Sequence, residues 1–137
     1  MNVNLIKILG LLLVVLSAET PRVRGDLLIR AEKPLISGQK AAIKLELKNT
    51  FSEKIESVRA SVFLFDEQGK MVGQTTRWII GGTKDKTALA PGAKTNYDFV
   101  VSFIKPFSTT KLIVNRIVLE GRKLADVTRE VTVENQQ

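Results

Sequence analysis

Alternation of apolar and polar residues with a period of two dominates this chain from residue 26 onward. In a β-strand successive side chains point to opposite faces, so this period predicts strands with one packed face and one wet face. Residues 41–48 show it best, with Ala41, Ile43, Leu45 and Leu47 directed inward. Residues 97–103 repeat the pattern and direct Tyr97, Phe99, Val101 and Phe103 inward. A helical period is not sustained in this part of the sequence.

Two further segments, residues 58–65 and 112–119, are apolar on both faces. A strand flanked by neighbours and covered on both sides forms a nearly continuous apolar run, so both segments are predicted to be central strands. Weaker strand patterns cover residues 27–30, 71–80 and 124–133.

Turn residues separate these segments. Gly69 fits a positive φ in the hairpin loop 66–70, and Pro91-Gly92 fits the corner of a type II turn at residues 90–93. Seven strands with turns between them predict an all-β fold, a seven-stranded antiparallel immunoglobulin-like β-sandwich over residues 27–133. Residues 134–137 are expected to be a frayed tail.

An apolar run at residues 8–18 follows Lys7 and precedes a polar stretch, which is the layout of a secretory signal peptide. We expect cleavage after Ala18, with a cut as late as Gly25 as the alternative. The run is shorter than the roughly 20 apolar residues that span a bilayer, although an uncleaved N-terminal anchor stays open. The sequence therefore predicts an exported protein, periplasmic or extracellular, with no stable membrane span in the mature chain.

The chain contains no histidine and no cysteine. This excludes Ser-His-Asp and Cys-His catalysis, the usual zinc sites, and haem or blue-copper ligation, so we expect a non-enzymatic protein without a cofactor. Carboxylates stay available for a hydrolase or a calcium site if they pair in space. The alternative is that they cap turns and cover outer faces. The candidates are Asp66, Glu67, Asp98, Glu120 and Asp126.

The formal net charge is +7, and Lys7, in the predicted signal peptide, contributes one of the positive charges. An excess of positive charge favours binding to polyanions or anionic surfaces. The basic residues are nevertheless spread along the chain among Asp and Glu. Two of them flank a turn at Gly121, where a hairpin tip presents side chains to solvent. The candidate partner-binding residues are Arg116, Arg122, Lys123 and Arg129, with ion pairing across strands to Glu120, Asp126 and Glu130 as the alternative.

Trp78 is the single tryptophan of the chain and a candidate for stacking on a ligand. It shares strand parity with Val72 and Ile80. This parity favours a place in the core or at a sheet edge.

The motifs Val62-x-Leu64-Phe65-Asp66, Gly69-Lys70-x-Val72-Gly73 and Leu89-Ala90-Pro91-Gly92 follow one another before an aromatic strand. This order resembles the bacterial FxLYD-type immunoglobulin-like domains, over roughly residues 27–133. Val62 stands at the first aromatic position of the motif and Phe65 at its tyrosine. The resemblance implies an extracytoplasmic interaction module and supplies no catalytic residues. We expect a protein or envelope component as partner, with anionic glycans or envelope polymers as the alternative, and no nucleic acid.

Overall fold

The structure, a computed structural model, describes residues 25–125 and 129–134. The predicted signal peptide and residues 135–137 of the predicted tail lie outside these residues. The strands in the described part are β1 (Leu27–Ala31), β2 (Leu35–Ser37), β3 (Lys40–Asn49), β4 (Ile55–Phe65), β5 (Met71–Gly81), β6 (Lys94–Ser102), β7 (Thr109–Leu119), β8 (Lys123–Leu124) and β9 (Arg129–Glu134). A 3₁₀ turn, Glu120–Arg122, connects β7 to β8. No helix in the described residues has the length and hydropathy needed to cross a bilayer.

The strands form two antiparallel sheets. In the first sheet, β1 and β2 pair with successive parts of β3, and β6 pairs with the other side of β3. In the second sheet the order is β5, β4, β7, and the far side of β7 pairs with β8 and then with β9. We count β1 and β2 as one interrupted edge strand, and β8 and β9 as another. The first sheet is then a three-strand sheet, and it packs against the second, a four-strand sheet. The prediction of an all-β sandwich is confirmed.

Pro34 lies in the break between β1 and β2. Proline has no N–H to donate to a ladder, so strands are commonly interrupted where it occurs. Glu32 N still donates to Lys44 O at 3.0 Å, which keeps the interrupted edge against β3.

The core lies between the two sheets and is built from alternate residues of their strands. On β3, Ile43, Leu45 and Leu47 are at most 2% exposed, as the alternation predicts. Phe99 of β6 and Leu64 of β4 are fully buried. Because this core is aliphatic and aromatic, the domain is stabilised by packing without disulfides.

The central position of β4 and β7 is confirmed, since each pairs with strands on both sides. The prediction that both faces of these strands are covered is wrong. All the described strands belong to the two sheets, so none of residues 25–125 and 129–134 forms a third layer over the outer face of the four-strand sheet. Phe63 and Phe65 of β4 are only half-buried there.

Both predicted turns are confirmed in detail. In the β4–β5 turn, Asp66 Oδ1 accepts bonds from the backbone N–H groups of Gln68 and Lys70, each at 2.9 Å, and Gly69 has φ 79°. In the β5–β6 connection, Ala93 N donates to Ala90 O at 3.0 Å and Gly92 has φ 77°. Short side chains and glycine thus close these turns where the sequence places them.

The connections gather at two ends of the sandwich. The β2–β3 turn, the β4–β5 turn and the β6–β7 loop form one end, which we call the β2–β3 end. Backbone bonds join them, from Phe103 N to Gln39 O at 2.9 Å and from Ile104 N to Val72 O at 3.1 Å. The other end, which we call the β3–β4 end, contains the β3–β4, β5–β6 and β7–β8 connections.

Candidate functional site

The predicted basic residues lie at separate places in the sandwich. Arg122 and Lys123 are exposed at the turn after β7, as the sequence predicts. Arg116 is exposed on β7, opposite Arg59 of β4. Lys123 pairs with Leu119 of β7, and Arg116 lies three residues before Leu119. About 10 Å of strand therefore separates Arg116 from the position of Lys123. The backbone of Arg129 opens β9 and pairs with Val114.

Lys123 has an acidic partner that sequence reasoning missed. Its Nζ lies 2.6 Å from Oε1 of Glu53, a residue of the β3–β4 connection. The sequence suggested pairing within β7–β9 instead. Glu53 is about 70 residues away in the sequence, and only the packing of the β3–β4 end brings it to the turn. Lys123 therefore contributes an ion pair to this end, whereas Arg122 and Arg116 extend into solvent.

Outer positions of β4 carry an aromatic and cationic surface that the sequence analysis did not single out. Val58, Ala60, Val62 and Leu64 are fully buried, so the intervening residues of β4 point to the opposite, outer face. This surface, which we call the aromatic face, consists of Arg59, Phe63, Phe65, Trp78 and Lys111. Along β4 it extends for about 20 Å from Arg59 to Phe65.

The side chains of the aromatic face contact one another in two groups. The guanidinium carbon of Arg59 lies 5.2 Å from the centroid of the Trp78 ring. The Phe63 and Phe65 ring centroids are 6.5 Å apart with planes inclined by 30°, and Lys111 Nζ lies 5.7 Å from the Phe65 centroid. A cation over an aromatic face is attracted by the ring quadrupole, so each group holds a ring and a positive charge together at the surface.

Trp78 lies on β5, the edge strand of its sheet, so the predicted sheet-edge position is confirmed. The prediction that Trp78 shares a face with Val72 and Ile80 is wrong. The β4–β5 register shifts between Val58 and Arg59, where Val58 pairs with Ile80 but Arg59 pairs with Trp78. This irregularity places one extra residue, Ile79, on β5 and reverses the parity on the Ile80 side. A second shift, between Leu64 and Phe65, places Val72 as another extra residue on β5. Ile80 consequently faces the core, while Trp78 lies half-buried on the aromatic face.

A polar ladder separates the two groups of the aromatic face. Ser61 Oγ lies 2.7 Å from Thr76 Oγ1 on β5, and Asn115 Nδ2 on β7 donates to Ser61 Oγ at 2.8 Å. Ser61 is only 5% exposed, so these bonds satisfy its hydroxyl in a position shielded from water. The ladder joins three strands between the two aromatic groups.

Tyr97 lies beside a small cleft of about 230 Å³ between β5, the β5–β6 connection and the start of β6. Its ring packs edge-on against Phe99, with centroids 5.1 Å apart, and Lys86 Nζ lies 4.4 Å from its centroid. Burial raises the pKa of the Tyr97 phenol, and the charge of Arg77 partly opposes this. Nearby, Thr83 Oγ1 donates to Asp85 Oδ1 at 2.7 Å and lowers the pKa of that exposed carboxyl.

The carboxylates considered for catalysis or calcium are dispersed. Asp66 and Glu67 follow β4 at the β2–β3 end, whereas Glu120 follows β7 at the β3–β4 end. Ile55 pairs with Leu119 and Phe65 with Thr109, so these groups are separated by a strand length of about 33 Å. Asp98 lies on β6 in the other sheet, and Asp126 is outside the described residues. Within the described part, no three His, Cys, Asp or Glu side chains form a group that could hold a metal ion.

Three solved structures are similar to this chain, and the first of them supports the fold. A Bordetella pertussis protein provisionally named ApaA matches with a TM-score of 0.54 and 16% identity, covering 82% of this chain and 92% of that chain. A second structural-genomics target matches with a TM-score of 0.47 and 10% identity, covering 81% and 85%. A family 2 glycoside hydrolase, a β-glucuronidase, matches with a TM-score of 0.41 and 20% identity, covering 79% of this chain but 11% of the hydrolase. No protein-family model and no curated protein matches the chain significantly.

At these identities the Bordetella structure supports a β-sandwich and assigns no activity. The candidate site therefore rests on the geometry of this chain. On the outer face of one sheet, aromatic rings lie beside guanidinium and ammonium groups, and these groups are suited to binding.

Proposed function

We propose that this protein is an exported, non-enzymatic immunoglobulin-like module of the FxLYD type that binds a protein partner or an envelope component through its aromatic face. The observation that carries the proposal is the placement of Phe63, Phe65 and Trp78 on the outer side of the sheet, half-buried and without a covering layer among the described strands. Outer positions of a sandwich are usually polar, so clustered rings at this place are typical of an interaction surface.

The chemistry of the face supports binding to an extended or planar partner. Aromatic rings contribute large contact areas at a low cost in conformational entropy, and they are enriched in the centres of protein interfaces. Arg59 and Arg116 are exposed on the same part of the four-strand sheet, so they add positive charge beside the rings. A partner with apolar groups flanked by acidic groups fits this arrangement.

Site-specific photocrosslinking in the native envelope tests the proposal. A benzophenone amino acid replaces Phe63 in one variant and Asn96 in a matched variant, since Asn96 is exposed on the other sheet. We expect discrete crosslinked products from position 63 that are missing from position 96. Identical products from both positions, or none from position 63, would contradict a binding role of the aromatic face.

A second candidate function is the binding of anionic glycans or envelope polymers, which the positive net charge and the cations of the aromatic face favour. Exposed charges are screened within about 8–10 Å at physiological ionic strength, so binding to a polyanion weakens steeply as salt is added. Binding governed by the rings changes much less. Retention on a sulfated-polysaccharide column, compared with an R59Q/R116Q variant at increasing salt, distinguishes the two functions.

A further inference from the structure

Among the described edges of the two sheets, β5 is the longest strand. It spans 11 residues and pairs with β4 on one side only. The edges formed by β1 and β2 and by β8 and β9 are each divided into two shorter strands, and the edge strand β6 has 9 residues. Because an edge strand has unpaired N–H and C=O groups along its free side, a long edge can pair with a strand of another chain.

Two hydrogen bonds show which backbone groups of β5 lie on its free side. Val72 O accepts from Ile104 N at 3.1 Å, and Thr76 O accepts from Arg77 Nη1 at 2.8 Å, so both carbonyls point away from β4. In an antiparallel pair alternate residues direct their N–H and C=O groups to the same side, so Gln74 also faces outward. No hydrogen bond from a described residue reaches the outward groups of Gln74.

The ends of this edge are irregular, and only its middle is suited to pairing. The register against β4 shifts at Val72 and again at Ile79, and such bulges bend a strand and interrupt a ladder. Residues 73–78 pair regularly with β4 between the two shifts. Thr76 lies in the middle of this stretch, so the bond from Arg77 engages a carbonyl at the centre of the usable edge.

Arg77 is the single charged residue of β5 and lies at an inward position of the edge. It pairs with Ala60, which is fully buried, yet its own side chain is exposed. Burial raises the pKa of the Tyr97 phenol on β6, and the charge of Arg77 opposes this rise, so the guanidinium lies on the side of β5 that faces β6. A strand added to β5 would displace the guanidinium from Thr76 O and confine its charge beneath the extended sheet. Inward-pointing charges on edge strands oppose such pairing.

Pairing with a second copy of this chain is opposed most strongly. Two β5 edges related by a two-fold axis present the same row of donors and acceptors to each other, so their backbones are self-complementary. With the axis through Thr76, the two Arg77 residues become diagonal neighbours on the inner face, about 7–8 Å apart. Repulsion between the two guanidinium groups then adds to the loss of their bonds to Thr76 O.

We propose that Arg77 closes the β5 edge, and that this edge pairs with the β5 edge of a second copy when Arg77 is replaced by a small neutral residue. The guanidinium occupies the central outward carbonyl of the edge, and its charge prevents a second strand from covering it. The proposal concerns the edge of the sheet and does not depend on a ligand of the aromatic face, so it goes beyond the proposed function.

Sedimentation equilibrium of full-chain variants tests the inference. Arg77→Thr is compared with Arg116→Thr, because both arginines are exposed on the same sheet but Arg116 lies on the central strand β7. We expect the average mass of R77T to double as its concentration rises, with no such rise for R116T or the unmodified chain. R77S should behave as R77T does, whereas R77K retains an inward charge and should resemble the unmodified chain. The N-terminal segment is the same in every variant, so it contributes equally to the masses.

A proline at position 74 locates the contact. Because Gln74 N–H points outward, Gln74→Pro leaves the ladder to β4 intact and removes a donor from the free edge. The R77T/Q74P variant should therefore return to the mass of the unmodified chain. Far-ultraviolet circular dichroism of each variant checks that the strands are still formed.

Each other outcome overturns the proposal. No rise in the mass of folded R77T and R77S would show that Arg77 does not guard the edge. Equal rises in R77T and R116T would indicate a general effect of lost charge, and a rise that persists with the proline would indicate association through another surface. Crosslinking from Phe63 uses a chain with an unmodified edge, so the two proposals can fail separately.

Discussion

Asn49 offers the sharpest test of how the β3–β4 end is held together. This residue is fully buried at the end of β3. Its side-chain amide donates to Glu53 O and to Leu89 O, both at 2.9 Å, and its Oδ1 accepts from Phe51 N at 2.8 Å. One side chain therefore connects the β3–β4 connection to the β5–β6 connection.

Replacing Asn49 with alanine removes all three bonds. Each contributes a net ~1 kcal/mol, and the buried Phe51 N–H is left without its partner, at ~1–3 kcal/mol if it stays unsatisfied. Leu89 O keeps its bond from Ile55 N at 2.9 Å. Partial relaxation of the loops reduces the sum, so we expect a loss of about 3–5 kcal/mol in the free energy of unfolding. This is a large part of the 5–15 kcal/mol typical of a domain.

Urea denaturation followed by far-ultraviolet circular dichroism measures this loss. With an m-value of roughly 1.5 kcal/mol/M, the midpoint of unfolding should fall by about 2–3 M. Asn96→Ala is the control, because it removes the same amide from an exposed position on β6 and should change stability by less than ~0.5 kcal/mol. Equal shifts for the two variants would refute the reasoning, and would assign the connection to the backbone bonds Asn49 N to Ala93 O and Gly92 N to Asn49 O.

Three further predictions follow from backbone and side-chain geometry. Gly81→Ala should destabilise the domain by at least ~2 kcal/mol more than Gly92→Ala in the same urea assay. Both glycines have a positive φ, but a Cβ at position 81 would meet a backbone carbonyl of β4, whereas one at position 92 meets nothing. Equal losses of stability would contradict this. The single tyrosine, Tyr97, should ionise at 295 nm with a midpoint above its ordinary value of 10, and still higher in an Arg77→Gln variant. Since the folded state then keeps the proton to a higher pH than the unfolded state does, stability should fall as the pH rises above about 10. A midpoint at or below 10 would disprove that partial burial raises the pKa of the Tyr97 phenol. Arg122→Gly should stabilise the domain by up to ~1 kcal/mol, measured by thermal unfolding, because the φ of 64° at Arg122 is strained for a residue with a Cβ. A lower midpoint temperature of unfolding would show that the arginine side chain stabilises the domain by more than this strain destabilises it.

Much of the fold could be predicted because strand patterning is local. The inward residues of β3 and β6 follow from alternation, and Phe99 and Leu45 are buried as expected. The turns at Gly69 and Gly92 follow from residues that accept a positive φ. Each of these inferences uses only neighbours along the chain.

The surfaces could not be predicted in the same way. Trp78 lies on the outer face because the register between β5 and β4 shifts beside it. Such a shift depends on both paired strands, so the sequence of β5 alone does not predict it. The apolar outer residues of β4, Phe63 and Phe65, are a signal for the aromatic face, but the pattern alone fits burial under another layer equally well. Lys123 forms an ion pair with Glu53, which belongs to the β3–β4 connection and is distant in the sequence.

The sequence by itself determined that this chain forms strands, where most of them begin and turn, and which side chains of β3 and β6 enter the core, because a period of two is a property of the extended backbone. Only the tertiary structure decided which outer positions lie side by side. Strand register, the bulge at Ile79 and the meeting of three connections around Ile104 bring together residues that are far apart in the sequence. The aromatic face and the β2–β3 end are therefore products of pairing and packing rather than of any local pattern.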